Sequence, residues 1–215
     1  MGLNNNNIYS EILNRFQSLY PEIKSNLNFS NPFEFYVAIV LAAQCTDERV
    51  NLVTKDLFKR IKNFEDLRKI PLEDLENLIH PTGFYHNKAK ALKEGAKFVI
   101  ENFNSNLPSN FDDLIKIPGL GRKSAYAILG YIFNKSSIIV DTHVKRIAFR
   151  LGLVNKSDPL IVEKEIAKNV EEKNWFRFSY ALNQYGRAIC TAKNPKCSNC
   201  ILNDICPKVG VSKEK

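Results

Sequence analysis

The chain has 215 residues, 44% of them hydrophobic and 25% charged, with 31 Lys and Arg against 23 Asp and Glu for a net charge of +8. This is room for one large or two small domains, and it excludes wholesale disorder, a collagen-like repeat and a disulfide-dense miniprotein. No apolar run reaches the ~18 residues of a membrane span. The opening Met1-Gly2-Leu3-Asn4 has neither a basic flank nor an apolar core, and Asn6 breaks the myristoylation pattern, so a cytoplasmic protein without a secretory signal is expected.

The predicted elements are helical nearly throughout. The Asn4–Asn7 run reads as a disordered lead-in. Ile8, Ile12, Leu13, Phe16 and Leu19 then recur at helical spacing. Asn31-Pro32-Phe33-Glu34 has the spacing of a capping box with Pro at the first helical position, and the all-apolar run from Phe35 to Ala43 reads as a central buried helix. Asp47 opens the next helix, with Val50, Val53, Leu57 and Phe58 inward. Short helices at 64–69 and 72–79 flank Pro71, His80-Pro81-Thr82-Gly83 is a stop, and 86–103 is a long helix striped by Ala89, Leu92, Ala96, Val99, Ile100 and Phe103. Helices over 110–115, 122–133, 142–151, 159–170 and 175–189 follow; Ser136 to Val140 is the one strand-like stretch, and it is too short to build a sheet. The fold class expected is all-α.

The charge is uneven. Residues 1–100 carry 13 basic and 12 acidic groups, residues 101–215 carry 18 and 11. Residues 116–150 hold seven basic groups and a single acid, Asp141, and 173–208 hold six and one. Blocks of this kind suggest a polyanionic partner such as nucleic acid, although a basic solvated face would give the same count.

Ile117-Pro118-Gly119-Leu120-Gly121 sits between a short helix and the helix that begins Arg122-Lys123. Gly119 and Gly121 permit positive φ and close backbone approach, and the free N–H groups of the second helix suit a phosphate. Ile117 and Leu120 would anchor the turn in the core. The bland alternative is an ordinary turn between two helices. Four of the five cysteines, Cys190, Cys197, Cys200 and Cys206, crowd into 17 residues. Without an export signal they point to metal ligation rather than disulfides, and their spacing alone admits zinc or iron–sulfur.

Ile-Pro-Gly-Leu-Gly-Arg-Lys followed by Val140-Asp141-Thr142-His143 resembles the helix–hairpin–helix DNA glycosylases, and the Cys-x6-Cys-x2-Cys-x5-Cys tail narrows the resemblance to the endonuclease III family. Leu41-Ala42-Ala43-Gln44-Cys45-Thr46-Asp47 and Thr82-Gly83-Phe84-Tyr85 are similar to two further family segments, so the likeness runs from about residue 8 to 207. It implies a helical barrel domain over 23–135 and an iron–sulfur domain from 1–22 and 136–215, flanking a DNA-binding cleft. It also implies a monomeric bifunctional glycosylase and AP lyase of base excision repair, acting on oxidised pyrimidines and abasic sites in duplex DNA.

By position in that resemblance, Lys123 is the amine nucleophile and Asp141 the carboxylate that takes a proton or steadies the positive sugar. A free lysine of pKa ~10.4 is almost wholly protonated at neutral pH, so Arg122 and the helix start are expected to favour the neutral amine. A tight Lys123–Asp141 bridge would oppose this. Gln44 is the polar plug and Phe84 the wedge that fill the gap left by an extruded base; the family often has an aliphatic residue at Phe84, and core packing is the alternative role. Cys45 reads as a small buried hydrophobe and His143 as a structural hydrogen-bonding residue. The four cysteines would hold a [4Fe-4S] cluster, with Lys193 and Lys196 on a DNA-contacting loop where Asn194 replaces a common basic residue.

Two other classes compete. Monofunctional mismatch glycosylases share the fold, but those relatives lack the lysine, and the adenine-specific ones add a further C-terminal domain. A non-catalytic iron–sulfur DNA-binding protein would leave Lys123 and Asp141 unexplained.

Overall fold

A computed structural model describes residues 5–211. All regular structure in that range is helical, and no strand occurs among the described residues. Two compact units form: Lys24–Asn134 is one, and the residues before Lys24 and after Asn134 make the other.

The Lys24–Asn134 unit is built on α2 (Pro32–Leu41), which touches α3 (Asp47–Arg60), α6 (Tyr85–Phe103) and α8 (Arg122–Phe133). Its run of apolar side chains explains the central place: Phe35, Tyr36, Val37, Ala38 and Leu41 are fully buried. The short α4 (Phe64–Lys69) and α5 (Leu72–Ile79) pack on α6, and α7 (Phe111–Leu114) on α8. Three helix starts use one device. Asn31, Asn63 and Asn110 each accept from the backbone N–H three residues on, at 2.9–3.0 Å. The acid at that third position then reaches back, Glu34 to Ser30 N, Asp66 to Lys62 N and Asp113 to the Asn110 amide. Each such cap is worth about 1 kcal/mol and sets a boundary that the sequence already marks.

Gly95 on α6 is required by a close approach. A Cβ there would lie 1.9 Å from the Tyr36 hydroxyl and 2.9 Å from the Pro118 carbonyl. The packing thus brings the 117–121 turn hard against α2 and α6. Tyr36 lies wholly in the core, and burial pushes its phenol above the ordinary range, so it stays neutral.

The other unit packs α1 (Asn5–Leu19) against α10 (Pro159–Asn169) and α11 (Trp175–Ala188), with α9 (Thr142–Arg150) beside both. Tyr9, Ile12 and Phe16 of α1 enter a core with Val144, Phe178 and Tyr185, and the Phe16 and Tyr185 rings stand 5.0 Å apart. Leu202, far along the cysteine segment, is also buried in this core. Arg15 adds a fork on Asp204 at 2.5 and 2.9 Å and a bond to the Ile201 carbonyl. An N-terminal helix therefore holds down the C-terminal loops.

Residues 136–140 form no ladder, as expected of so short a stretch; they are a connector whose Ile138 is buried and whose Ile139 N–H donates to Ser179 Oγ at 3.2 Å. The β-branched residues there serve burial rather than pairing. Two expectations need correction. Leu19 is 46% exposed, because the first helix ends there and its stripe has run past the core. The asparagine run falls partly within α1, which begins at Asn5, and otherwise lies outside the described residues.

Candidate functional sites

The 117–121 turn is pinned by Ile117 and Leu120, 1% and 7% exposed. Its two glycines differ. Gly119 has φ +87°, and a Cβ would press on Ala91 at 3.0 Å and on Val40, so both conformation and space demand glycine. Gly121 has φ −100°, so it does not use the positive φ open to glycine, and nothing lies within 4 Å of where its Cβ would be. Its bareness opens the backbone to the outside. Gly121 is also the N-cap of α8 and supplies no side-chain cap, so the first N–H groups of that helix remain available to an anion.

Arg122 and Lys123 follow and are exposed. The Arg122 guanidinium lies over the Phe111 and Tyr126 rings, 5.0 and 5.1 Å from their centroids, and donates to the Tyr126 hydroxyl at 3.0 Å. The two rings stack at 4.6 Å. This side chain is thus held in place by cation–π contact before any ligand arrives. Lys123 forms no ion pair among the described residues.

Gln44 and Phe84 share an unusual backbone. Both are exposed and left-handed, at φ +52° and +49°. Phe84 is 61% exposed, so core packing is not its role. Non-glycine residues in this region are costly and gather where function holds them. Cys45, beside Gln44, is half-buried.

In the other unit, Asp141 is the N-cap of α9. Its Oδ1 accepts from His143 N and Val144 N, both at 2.9 Å. Its Oδ2 accepts from the Asn183 amide at 2.6 Å. Both carboxylate oxygens are therefore oriented, one by backbone and one by a side chain from α11. Burial pushes the His143 imidazole down, opposed by Asp141 and aided by Arg146 and Arg187. The neutral ring then accepts at Nδ1 from Arg146 Nη2, 3.1 Å away.

Cys190, Cys197, Cys200 and Cys206 line one recess with Arg150 and Asn203, enclosing about 320 Å³ of empty space that is partly open to solvent. None is in a disulfide. No three Cys, His, Asp or Glu among the described residues converge on a single metal ion. Four cysteine sulfurs on one recess are a ligand set that zinc or an iron–sulfur group can take. Burial pushes the Cys206 thiol up, and Cys200, Cys190 and Cys197 add to the rise.

Backbone N–H groups of Leu202 and Lys208 point at Cys200 and Cys206 Sγ, each at 3.4 Å. Arg150, 8% exposed, donates to the Thr191 carbonyl at 2.7 Å, to Ala192 at 3.0 Å, and to Cys190 O and Sγ at 3.4 Å. Arg146 Nε takes the same Cys190 carbonyl at 2.9 Å. Lys193 and Lys196 are exposed on the loop between the first two cysteines, and Asn194 there has φ +50°, a conformation asparagine tolerates better than a long basic residue.

Sequence reasoning missed Asn183, Arg146, Arg150 and Lys88. Each acts through a contact more than 35 residues away. Only the two arginines left a trace, as part of the basic excess in 116–150.

Residues 37–172 match the family described as HhH-GPD superfamily base excision DNA repair protein, and residues 190–206 match the iron–sulfur binding domain of endonuclease III. The chain is 38% identical over 204 residues to endonuclease III of Synechocystis sp., covering 94% of this chain and 93% of that one. It is 40% identical over 195 residues to endonuclease III of Bacillus subtilis, covering 90% and 89%. The solved structure of a trapped endonuclease III–DNA covalent intermediate superposes with a TM-score of 0.90 at 35% identity, over 96% of this chain and 97% of that one. The chain therefore belongs to the endonuclease III family of base excision DNA repair proteins, residues 190–206 are its iron–sulfur binding domain, and its cofactor is a [4Fe-4S] cluster.

Proposed function

We propose that the DNA glycosylase and AP lyase activities of this protein rest on Lys123 as nucleophile and Asp141 as its carboxylate partner in the reaction. The observation that carries the assignment is the setting of Lys123: an unpaired, exposed amine on the first turn of a helix whose N–H groups are uncapped and whose preceding Gly121 leaves the backbone open. A DNA phosphate held on those N–H groups fixes the strand without reading its sequence. The neighbouring Lys123 amine is then presented to the sugar.

In the neutral form its Nζ attacks C1′, and the C1′–N bond to the damaged base breaks. The bound amine gives up one proton, and its lone pair then expels O4′: the C1′–O4′ bond breaks, the sugar ring opens and O4′ takes a proton, leaving a protonated imine that acidifies the C2′ hydrogen. Loss of that proton breaks the C3′–O bond and expels the 3′ phosphate. Asp141, oriented through both its oxygens, stabilises positive charge on the sugar as the base departs and serves as a proton acceptor. Gln44 and Phe84 occupy the space of the extruded nucleotide. Gly119, Arg122, Lys193 and Lys196 contribute DNA contacts, and binding weakens steeply with salt.

Cys190, Cys197, Cys200 and Cys206 hold the cluster, which supplies structure to the 190–206 loops and takes no part in the bond changes. We further propose that the substrates are oxidised pyrimidines and abasic sites in duplex DNA, that the protein acts as a monomer, and that it works in the cytoplasm, where thiols stay reduced. No helix among the described residues is long and apolar enough to cross a membrane.

Borohydride trapping tests the assignment. Wild-type protein with duplex carrying thymine glycol or an abasic site should give a covalent adduct. Lys123→Gln should give none while still binding DNA. An adduct formed by Lys123→Gln would move the nucleophile elsewhere.

A further inference from the structure

The Lys123 chemistry makes no use of Lys88, yet Lys88 is the most deeply buried ammonium of the Lys24–Asn134 unit, at 5% exposure. It has no carboxylate partner among the described residues. Its Nζ donates to the Leu41 carbonyl at 2.8 Å and to the Thr82 carbonyl at 2.9 Å. Burial lowers its pKa, as expected for a cation sheltered from water. An apolar side chain of similar length would fill this space without that desolvation cost. What the ammonium adds is the simultaneous grip on two backbone oxygens.

Those two oxygens belong to separate loops. Leu41 ends α2, three residues before Gln44; Thr82 ends a 3-10 turn, two residues before Phe84. Lys93, half-buried, grips two carbonyls of a single helix end, those of Arg68 and Ile70 at the close of α4. Lys88 instead ties together, from inside, the roots of the two loops whose tips are left-handed and exposed. Thr82 is itself buried, its hydroxyl donating to the Ile79 carbonyl at 2.8 Å, so the second loop is held from both ends of one residue.

We propose that Lys88 is a positioning residue that locks the Gln44 and Phe84 loops to each other, so that plug and wedge enter the duplex as one rigid unit. This rests on the reading of Gln44 and Phe84 as the inserting side chains. An extruded base is needed only in a duplex; an abasic site in single-stranded DNA meets the amine without insertion.

The test compares two substrates under single turnover, with Lys88→Met, Lys88→Gln and the Gln44→Ala/Phe84→Ala double variant. Lys88→Met should slow base release from thymine-glycol duplex by about tenfold or more, while borohydride trapping on a single-stranded abasic oligonucleotide stays within about twofold of wild type. Added to the double variant, Lys88→Met should cause no further loss, because its effect passes through those two side chains. Melting and visible cluster absorbance report folding, and Lys88→Gln, which keeps one amide donor, is read where Lys88→Met does not fold.

A Lys88→Met protein with wild-type duplex rate overturns the proposal, as does equal loss on both substrates or failure of both variants to fold. If the Gln44→Ala/Phe84→Ala protein itself keeps wild-type duplex rate, the insertion reading falls and the Lys88 proposal with it. Loss in the double variant without loss in Lys88→Met overturns the Lys88 role alone.

Discussion

The Asn183 side-chain amide donates to Asp141 Oδ2 at 2.6 Å, the oxygen left over when Oδ1 caps α9. A carboxylate held only by its capping oxygen could still tilt about its last side-chain bond. The amide removes that freedom. Asn183→Ala should therefore lower the single-turnover rate of base release by about tenfold, the worth of one oriented hydrogen bond of ~1–1.5 kcal/mol. Affinity for DNA should be unchanged. An unaltered rate in Asn183→Ala would show that the amide merely fills space.

Asp141 carries two roles that one pair of substitutions separates. Asp141→Ala removes the α9 cap and should cost about 1 kcal/mol in urea unfolding. Asp141→Asn retains a side-chain oxygen for His143 N and Val144 N, and asparagine caps as well as aspartate. Its Nδ2 then faces the Asn183 amide, which has to turn over to offer an oxygen, so Asp141→Asn should lose less stability than Asp141→Ala, while base release falls in both variants. Equal destabilisation of the two proteins would contradict the capping geometry, and full activity in Asp141→Asn would remove the carboxylate from the chemistry.

Phe84 illustrates strain kept for use. A non-glycine residue at φ +49° costs about 1–2 kcal/mol, and here the ring is 61% exposed and gains little from packing. Phe84→Gly should relieve the strain, offset in part by the greater freedom of glycine in the unfolded chain. The net expectation is a gain of roughly 0.5–1 kcal/mol in urea unfolding together with loss of activity on duplex DNA. A variant destabilised by more than 1 kcal/mol would instead mean that the ring packs on the fold.

Local signals made the helices legible. Asn31, Asn63, Asn110 and Asp158 announce their helix starts, since a cap bonds within three residues of itself. The 117–121 turn and the crowded cysteines are equally local. What the sequence does not display is long-range aim. Nothing in Tyr85-His86-Asn87-Lys88 says that the ammonium turns inward onto carbonyls 6 and 47 residues away. The Asn183 amide is as silent, because its partner lies 42 residues earlier. The Ser136–Val140 stretch shows the converse: it reads as strand-like because β-branched residues suit any extended buried segment, and only a partner strand makes a ladder.

Arg150 offers the sharpest separation of charge from geometry. Its guanidinium spans the carbonyls of Cys190, Thr191 and Ala192 and lies 3.4 Å from Cys190 Sγ, so it orders the entry to the cysteine loop and brings positive charge to a sulfur. Its own carbonyl accepts from Val209 N at 3.1 Å, which places the far side of the segment on the same residue. Arg150→Met takes the donor from the Thr191 and Ala192 carbonyls, while Arg146 still holds that of Cys190, and should cost about 1–3 kcal/mol. Iron content per chain and visible absorbance should both fall. Arg150→Lys restores the charge but not the planar fork, so it can satisfy fewer of these oxygens at once and should retain iron at an intermediate level. Hydrogen exchange at Lys196 and Cys197, whose amides bond to the Ile189 and Pro195 carbonyls, should quicken in the same order. Full iron and unchanged exchange in Arg150→Met would show that the cysteines and the packing of Leu202 shape the loop without the arginine.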